Sequence, residues 1–340
     1  QDIKESTQSE VAYTYFGWEH RIAAVYSPAS LSLALWQSGA IGDAGDQYVG
    51  LDRFGRTEQM KWTGAVSGSS TTYMPTYQYG FDPAGNRTWR KEPTAPESAK
   101  QDEAYEYDGL SQLTSLKRGV LNVNRTSING VPVFEEDFSF DSTGNWHAEG
   151  DTLGGAYVQS ANGTVQVNQN RIHNQANELT EITNVPGTTL WNNVYESDAA
   201  GNMTKVDMPT TMNSSWTCSY DAWNRLVNVE IDPSQTVATY QYDGLFRRVQ
   251  RYSEQPSPVT RHLYYSDQWQ LLEDRQSGTL KKLWLWGIRY PDDLIYRERL
   301  NTPTDKHYAF QDYFNVIGVW HYHSASSTTV VGERFGFDAY

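Results

Sequence analysis

The chain has 340 residues, with 41 acidic and 27 basic side chains for a formal net charge of −14, and 14% of its residues are aromatic. Affinity for nucleic acid comes chiefly from Lys and Arg, so the acidic balance argues against a nucleic-acid or anionic-membrane surface. The single cysteine, Cys218, excludes an intrachain disulfide and a CxxC metal site. No apolar run is long enough to span a membrane, and residues 1–25 show no signal-peptide pattern.

Alternating strands and tight turns are predicted along the whole chain, beginning with the alternating segment at residues 31–36. The clearest pattern is an aromatic pair at i and i+2 followed by Asp, as in Tyr-Glu-Tyr-Asp at residues 105–108. Residues i and i+2 share one face of a strand, so each pair forms part of a packed surface. The residues predicted to carry this repeat are Tyr79, Phe81, Asp82, Tyr105, Tyr107, Asp108, Phe138, Phe140, Asp141, Asp198, Tyr220, Asp221, Tyr240, Tyr242 and Asp243.

Each Asp is predicted to open a turn, because its carboxylate can accept backbone N–H groups two residues further on. Glycines at the fourth turn position, such as Gly85, suit a left-handed backbone. Apolar residues then follow five and eight places after the Asp, as at Leu113 and Leu116. This spacing of three indicates either a β-bulge or a return strand packed on both faces.

Weaker copies extend the pattern over the rest of the chain. They are anchored at Phe16, Asp52, Asn174, Asp267, Asp312 and Asp338. Helical periodicity is nearly absent, and Gly, Pro, Asn and Asp interrupt the chain often. The sequence therefore predicts an all-β fold of about twelve serial hairpins, forming one repeat region over residues 1–340.

The segments at residues 105–114 and 220–227 resemble the YD repeat of bacterial RHS proteins, which also occurs in the C component of Tc toxins and in teneurins. Residues 51–56, 198–203, 264–271 and 286–290 are similar to further blocks of large RHS-repeat proteins. The resemblance implies a strip of hairpins that spirals into a hollow shell, often around a toxic C-terminal domain. Residues 331–340 resemble the last repeat before the self-cleaving core. No core block or toxic domain occurs in the sequence, so no cleavage residues are assigned.

Candidate sites for chemistry are few. His321 and His323 share one face of a predicted strand, as two metal ligands could, but nothing near them in sequence supplies an obvious third ligand. Asp292 and Asp293 are interpreted as turn residues, and Cys218 as a small apolar residue in an aromatic slot. The repeated aspartates resemble the carboxylates of a sugar cleft, but their constant turn position already explains them. We predict no catalytic, cofactor or metal residues.

The sequence thus predicts a structural shell segment that is secreted or at a bacterial cell surface, with no membrane insertion. Its expected partners are the rest of its own shell or neighbouring subunits, and a toxin cargo. The alternative is a carbohydrate-binding or adhesion module, with a glycan stacked on exposed aromatic residues. Trp18, Trp36, Trp191 and Trp269 are the candidates for that stacking. A weaker alternative is a polysaccharide-active enzyme on a β-solenoid. We further expect residues 331–340 to pair with a neighbouring turn of the spiral, another subunit or a missing continuation, because a strip of hairpins exposes its end strands.

Overall fold

The fold is taken from a computed structural model of the chain. The structure describes residues 2–5, 8–16, 20–27, 31–35, 50–64, 75–95, 101–147, 156–184, 193–194, 196–207, 215–231, 235–287, 292–300, 305–312, 316–323 and 328–334. These residues form strands, turns and bends and contain no helix. Among them, therefore, no helix is long and apolar enough to cross a membrane.

The strands divide between two compact units. Unit 1 comprises residues 1–132 and 282–340, and unit 2 comprises residues 133–281. Unit 1 begins with β1 (Asp2–Glu5), β2 (Gln8–Phe16), β3 (His20–Tyr26), β4 (Leu31–Ala34), β5 (Gln59–Gly64), β6 (Thr76–Phe81), β7 (Arg87–Lys91), β8 (Asp102–Tyr107) and β9 (Leu113–Gly119). The single repeat region expected over residues 1–340 stays a prediction.

Unit 2 contains a second long series of strands. They are β10 (Phe134–Phe138), β11 (Tyr157–Ala161), β12 (Thr164–His173), β13 (Leu179–Asn184), β14 (Asn193–Val194), β15 (Glu196–Ser197), β16 (Met203–Asp207), β17 (Ser215–Tyr220), β18 (Leu226–Ile231), β19 (Gln235–Tyr242), β20 (Arg248–Ser253), β21 (Val259–Tyr265) and β22 (Leu271–Gln276). Strand β23 (Thr279–Trp286) begins in unit 2 and ends in unit 1, where β24 (Leu294–Arg299), β25 (Asp305–Gln311), β26 (Val316–His323) and β27 (Thr328–Arg334) follow.

Strand order is the chain order in both sheets. One sheet runs from β1 to β14 and the other from β15 to β27. Adjacent strands pair antiparallel, as between β8 and β9 and between β19 and β20. The prediction of an all-β chain of serial hairpins is confirmed.

A β-bulge lies at the closed end of the hairpins and explains the spacing of three. In the β8–β9 hairpin, Tyr107 pairs with Leu113 and Tyr105 pairs with Leu116, with a register shift after Glu106. Two return-strand residues therefore oppose one incoming residue, and both apolar residues reach the face of the aromatic pair. The same shift occurs between Gln241 and Tyr242 in the β19–β20 hairpin. The β-bulge, and not a return strand packed on both faces, therefore explains why the two apolar residues are three positions apart.

Unit 1 contains an aromatic core built from distant parts of the chain. The Trp62 ring stacks on Tyr26 at 5.5 Å and meets Phe310 edge-on at 4.8 Å between ring centroids. Phe310 makes a second edge-on contact with Trp320, also at 4.8 Å. The indole N–H of Trp62 donates to the backbone carbonyl of Gln311 at 2.9 Å. Edge-on aromatic pairs add to the energy of burial, so this core holds early strands against late ones.

Buried ion pairs accompany this core. Arg90 contacts Glu103 at 2.9 Å and Asp312 at 3.2 Å, and Arg118 also contacts Glu103 at 3.0 Å. Losing one partner of such a group leaves a buried charge without compensation, which is strongly destabilising. Asp312, predicted as a weak turn anchor, is therefore part of a buried charge network, and residues 313–315 after it lie outside the described residues.

In unit 2, most described side chains are only partly buried. One tight aromatic cluster forms around Phe138, with Trp146 at 5.3 Å and Tyr157 at 5.4 Å between ring centroids. The guanidinium carbon of Arg171 lies 3.6 Å from the centre of the Trp146 ring, in the range of a cation–π contact. Stability in this unit therefore depends strongly on hydrogen bonding between strands and turns.

Replacing Trp62 with Ala should lower the free energy of unfolding by about 3–5 kcal/mol, because it empties a fully enclosed aromatic site. Trp223, at 64% exposure, provides the matched control, and Trp223→Ala should change stability by only about 0.5 kcal/mol. Urea unfolding followed by far-ultraviolet circular dichroism measures both. Equal losses from the two variants would contradict the assignment of the core.

Candidate functional site at the repeat turns

The turn at Asp108 shows how one residue organises a hairpin. The Asp108 N–H donates to the Gln112 carbonyl at 3.0 Å, and the Ser111 N–H donates to the Asp108 carbonyl at 3.1 Å. The carboxylate Oδ1 accepts the N–H groups of Leu110 and Gln112, each at 2.8 Å. These bonds give partners to backbone N–H and C=O groups of the turn. At the end of a sheet, these groups have no adjacent strand to bond with. Asp108 is called the anchor of its turn. A numbered position is the number of residues after the anchor, so Gln112 is at position 4.

The same turn recurs along both units. Its anchors are Asp52, Asp82, Asp108, Asp141, Asn174, Asp198, Asp221, Asp243 and Ser266. The third residue after each anchor has a positive φ, as at Gly85 (95°) and Asn224 (59°). This left-handed conformation closes a three-residue hairpin loop, and it explains why glycine and asparagine are frequent there.

Two anchors differ from the sequence prediction. Asp267 was expected to open a turn, but the hydroxyl of Ser266 accepts the N–H groups of Gln268 at 3.2 Å and Gln270 at 3.1 Å. A related turn at Asn122 was not predicted. Its Oδ1 accepts the Thr126 N–H at 3.0 Å. The turns expected after Phe16 and at Asp338 fall on residues outside the described part of the chain.

Where position 4 is Arg or Asn, its side chain links the turn to the next one. The Arg225 Nε donates to Oδ2 of its anchor Asp221 at 2.7 Å, and Nη1 donates to the backbone carbonyl of the next anchor, Asp243, at 3.0 Å. Arg56 and Arg247 make the same two contacts. One guanidinium thus satisfies a carboxylate and joins two hairpins, which suits its fixed fork of donors.

The contact from position 4 to the next turn is called the forward link. Asparagine at position 4 makes a shorter version of it. The Asn202 side-chain N–H₂ donates to Asp198 Oδ2 at 2.8 Å and to Asn224 Oδ1, in the next turn, at 3.0 Å. Asn86 and Asn145 make the corresponding contacts. The forward link is therefore preserved although the residue type changes.

Where a tyrosine stands just before the anchor, its hydroxyl links the hairpin to the one before it. The Tyr242 hydroxyl donates to the Leu226 carbonyl of the preceding unit at 2.8 Å. Equivalent bonds join Tyr107 to Arg87, Tyr220 to Met203 and Tyr265 to Arg248. This bond to the preceding hairpin is called the backward link. In a Tyr-Asp pair, the tyrosine therefore makes the backward link and the aspartate organises the turn.

The predicted repeat residues lie at different levels of burial. Tyr79, Tyr105 and Phe138 are buried; Phe81, Tyr107, Phe140, Tyr220, Tyr240, Tyr242, Asp82, Asp108, Asp141, Asp221 and Asp243 are half-buried; Asp198 is exposed. Each of these carboxylates bonds within its own turn. The structure therefore distributes the carboxylates among successive hairpins.

Hydrogen bonding lowers the pKa of six of the anchor carboxyls. At Asp141, the Thr143 hydroxyl and then the Asn145 side chain and backbone lower the pKa of the carboxyl. At Asp243, desolvation raises the pKa, but hydrogen bonds and the positive charge of Arg247 outweigh it, so the pKa is lowered. The pKa is also lowered at Asp52, Asp82, Asp198 and Asp221. The turn is thus built for the carboxylate form.

Large apolar side chains project from several turn tips. Those at position 2 are Phe54, Leu110, Trp223 and Leu245. In unit 2, a shallow groove beside the Asp243 turn is lined by Trp223, Arg225, Tyr242, Asp243, Gly244 and Phe246. Phe246 and Trp269 are more unusual, because they hold a left-handed backbone (φ 65° and 66°) at position 3. Bulky residues adopt this conformation at a cost in energy.

Other candidate residues are placed apart from these turns. Asp293 is buried whereas Asp292 is exposed, so their environments differ sharply. Cys218 is half-buried, and burial raises the pKa of its thiol. Trp18, Trp36 and Trp191 lie outside the described residues, and Trp269 is 55% exposed.

Residues 220–255 match the family model of the RHS Repeat. They contain the turns anchored at Asp221 and Asp243, whose bonds recur in the other hairpins. This segment of the chain is therefore an RHS repeat. A search of the curated proteins finds no match.

Solved structures that are similar to this chain include a Tc holotoxin pore and complexes of TcdB2 with TccC3. The Photorhabdus luminescens Tc holotoxin pore with a TccC3 mutation is 13% identical, with a TM-score of 0.40, over 94% of this chain and 18% of that chain. TcdB2-TccC3-Cdc42 is 13% identical, with a TM-score of 0.39, and TcdB2-TccC3-TEV is 12% identical, with a TM-score of 0.41. Each of these two matches covers 94% of this chain and 17% of the other. This chain therefore spans less than a fifth of the chains that it matches.

Replacing Asp108 with Ala should lower the free energy of unfolding on the order of 1 kcal/mol, because two turn amides lose their acceptor. Asp108→Asn is the matched control, since Asn keeps the Oδ1 acceptor and already serves as the anchor at Asn174. Urea denaturation of both variants measures the difference. Equal destabilisation by Ala and Asn would show that the negative charge, and not the acceptor, stabilises the turn.

Acid should weaken the RHS repeats. Because the anchor pKa values are lowered in the folded chain, the unfolded chain binds more protons, and stability rises with pH. Stability should therefore fall as the pH drops below about 4, the ordinary pKa of Asp, and continue falling toward the lower folded values. Urea midpoints across this range measure the slope, and the double variant Asp221→Asn, Asp243→Asn should make it shallower. An unchanged slope would place the acid sensitivity elsewhere.

Proposed function

We propose that this chain is a structural segment of an RHS-repeat shell, which encloses a cargo such as a toxin domain or builds a secreted or cell-surface assembly. The observation that carries the proposal is the two-way linkage of the turns. Position 4 reaches forward to the next hairpin, and the tyrosine before the anchor reaches back to the previous one. A wall made of marginal hairpins needs such lateral bonds, because an isolated hairpin is barely stable in water.

The chemistry of the turn supports a structural role over a catalytic one. At Asp243, Oδ1 accepts the Leu245 and Arg247 N–H groups at 2.9 Å, and Oδ2 accepts Arg247 Nε at 2.7 Å. A general acid needs a carboxyl that holds a proton near the working pH, whereas these anchors have lowered pKa values. The repeated carboxylates are thus suited to fix turns.

The partners in this proposal are the remainder of the same shell or neighbouring subunits. The toxin cargo and the extracellular location follow from the resemblance to RHS proteins. The acidic charge of −14 favours solubility of a large exposed surface.

A second candidate is a carbohydrate-binding or adhesion module, and one observation favours it. Phe246 and Trp269 are exposed and hold left-handed backbones where related turns use Gly or Asn. Strained conformations concentrate at functional sites, and flat aromatic faces can stack on sugar rings. Trp223 adds a third exposed ring near Phe246, across the groove.

The shell proposal predicts that the backward links hold the wall together. The triple variant Tyr220→Phe, Tyr242→Phe, Tyr265→Phe removes three hydroxyl bonds and should speed trypsin cleavage within unit 2. Tyr264→Phe is the matched control, because Tyr264 is exposed and adjacent to Tyr265 in β21. Mass spectrometry of timed digests locates the cuts. Unchanged cleavage of the triple variant would contradict the proposed role of the links.

Glycan arrays and cargo protection distinguish the two candidates. In the complete gene product, a shell should protect its cargo domain from trypsin, and the array should show no specific binding. Specific glycan binding that Trp269→Ala and Phe246→Gly abolish, together with an unprotected cargo, would replace the shell proposal with the adhesion candidate.

A further inference from the structure

Three potential metal ligands meet on β25 and β26 of unit 1. His307 and His321 are directly opposite each other in the strand register, and their ring centroids are 4.0 Å apart. Asp305 lies two residues before His307 and therefore on the same face of β25. The sequence around His321 shows no third ligand, because His307 and Asp305 come from the neighbouring strand.

The distances suit a small divalent ion. Zinc binds His nitrogen and carboxylate oxygen at about 2.0–2.2 Å, so adjacent ligands of a tetrahedral site are about 3.4 Å apart. Asp305 Oδ2 and His307 Nε2 are 3.4 Å apart. One ligand atom from each of the three residues lies within 4.8 Å of the others. Two ligands of one ion can be about 4.2 Å apart at most, so a small side-chain rotation closes the site.

His307 supplies an independent sign of a ligand at this place. Its side chain is 2% exposed, and its Nε2 makes no hydrogen bond of good geometry although Asp305 Oδ2 is near. A buried polar atom without a hydrogen bond is costly, and in folded proteins a bound ion or water often satisfies such an atom.

We propose that Asp305, His307 and His321 hold one divalent transition-metal ion, of which Zn²⁺ is the preferred example. Two imidazoles and one carboxylate are a common donor set for zinc and related ions. Three protein ligands leave a position for water or another group. The ion would join β25 to β26 by side chains, in addition to their backbone bonds.

The surrounding charges are mixed. Arg297 is opposite His307 in the β24–β25 register, and Arg299 is opposite Asp305. The positive charges of both arginines disfavour a bound cation. The negative charge of the Asp305 carboxylate offsets part of that effect. Glu333 contributes a further negative charge near Arg297. The site should therefore bind with moderate affinity and depend strongly on Asp305.

Cobalt binding to the tag-free, chelator-treated chain tests the proposal. Co²⁺ should bind one ion per chain, give visible absorption typical of nitrogen and oxygen ligands, and be displaced by Zn²⁺. His321→Gln and Asp305→Asn should each weaken binding by more than about tenfold, because loss of even a hydrogen-bond partner of a metal ligand typically weakens metal binding by about 10–100-fold. His262→Gln, on β21 in unit 2, is the matched control and should bind as the original chain does.

Far-ultraviolet circular dichroism first establishes that each variant keeps its strands. His321 and Asp305 are the residues replaced because both are less buried than His307, so their replacement disturbs the fold less. Absence of Co²⁺ binding to the original chain would overturn the proposal. Equal binding by the original chain, His321→Gln and Asp305→Asn would also overturn it. Thermal stabilisation by phosphate but not by Zn²⁺ would instead indicate an anion beside Arg297.

Discussion

A single side-chain oxygen that accepts two backbone amides is the interaction on which the rest of this structure depends. In the Asp221 turn, Oδ1 accepts the Trp223 and Arg225 N–H groups at 2.9 and 3.0 Å. This fixes the loop at three residues, and the loop length sets the strand register. The register then decides which side chains face inward. Because only an acceptor oxygen is required, Asn174 and Ser266 can replace the carboxylate without changing the turn.

The second oxygen and the flanking residues convert a row of turns into a continuous structure. Oδ2 of the anchor positions Arg225, whose guanidinium also lies 5.0 Å from the centre of the Tyr242 ring. Tyr242 in turn donates to a carbonyl of the earlier hairpin. These bonds join each of the linked hairpins to its neighbours, as in other repeat proteins. Unit 1 adds a different kind of support, since Trp62 and Phe310 join parts of the chain that are far apart in sequence.

Local features were predictable from sequence and distant ones were not. The all-β fold class of the chain and the turn at Asp108 were predictable from short-range patterns. The atoms that bond in the turn lie within four residues of one another in sequence. Asp267 was predicted in place of Ser266 because a serine hydroxyl is a weaker turn signal than the carboxylate next to it. The Arg90–Asp312 ion pair spans more than two hundred residues, so no local pattern marks it. The approach of His307 to His321 depends on the register of β25 and β26, which sequence spacing alone did not define.

The turn also leaves one position almost unrestricted. At position 2, the turn requires only the backbone N–H, so the side chain can vary from Ala200 to Trp223, although the Thr143 hydroxyl also donates to its anchor Asp141. Successive hairpins therefore present a regular series of variable side chains along the turn edge, on a framework that does not change with them. Such an edge can acquire new recognition properties by single substitutions, much as the loops of a binding scaffold do. It would also accept designed residues at chosen intervals, with the spacing already provided by the repeat.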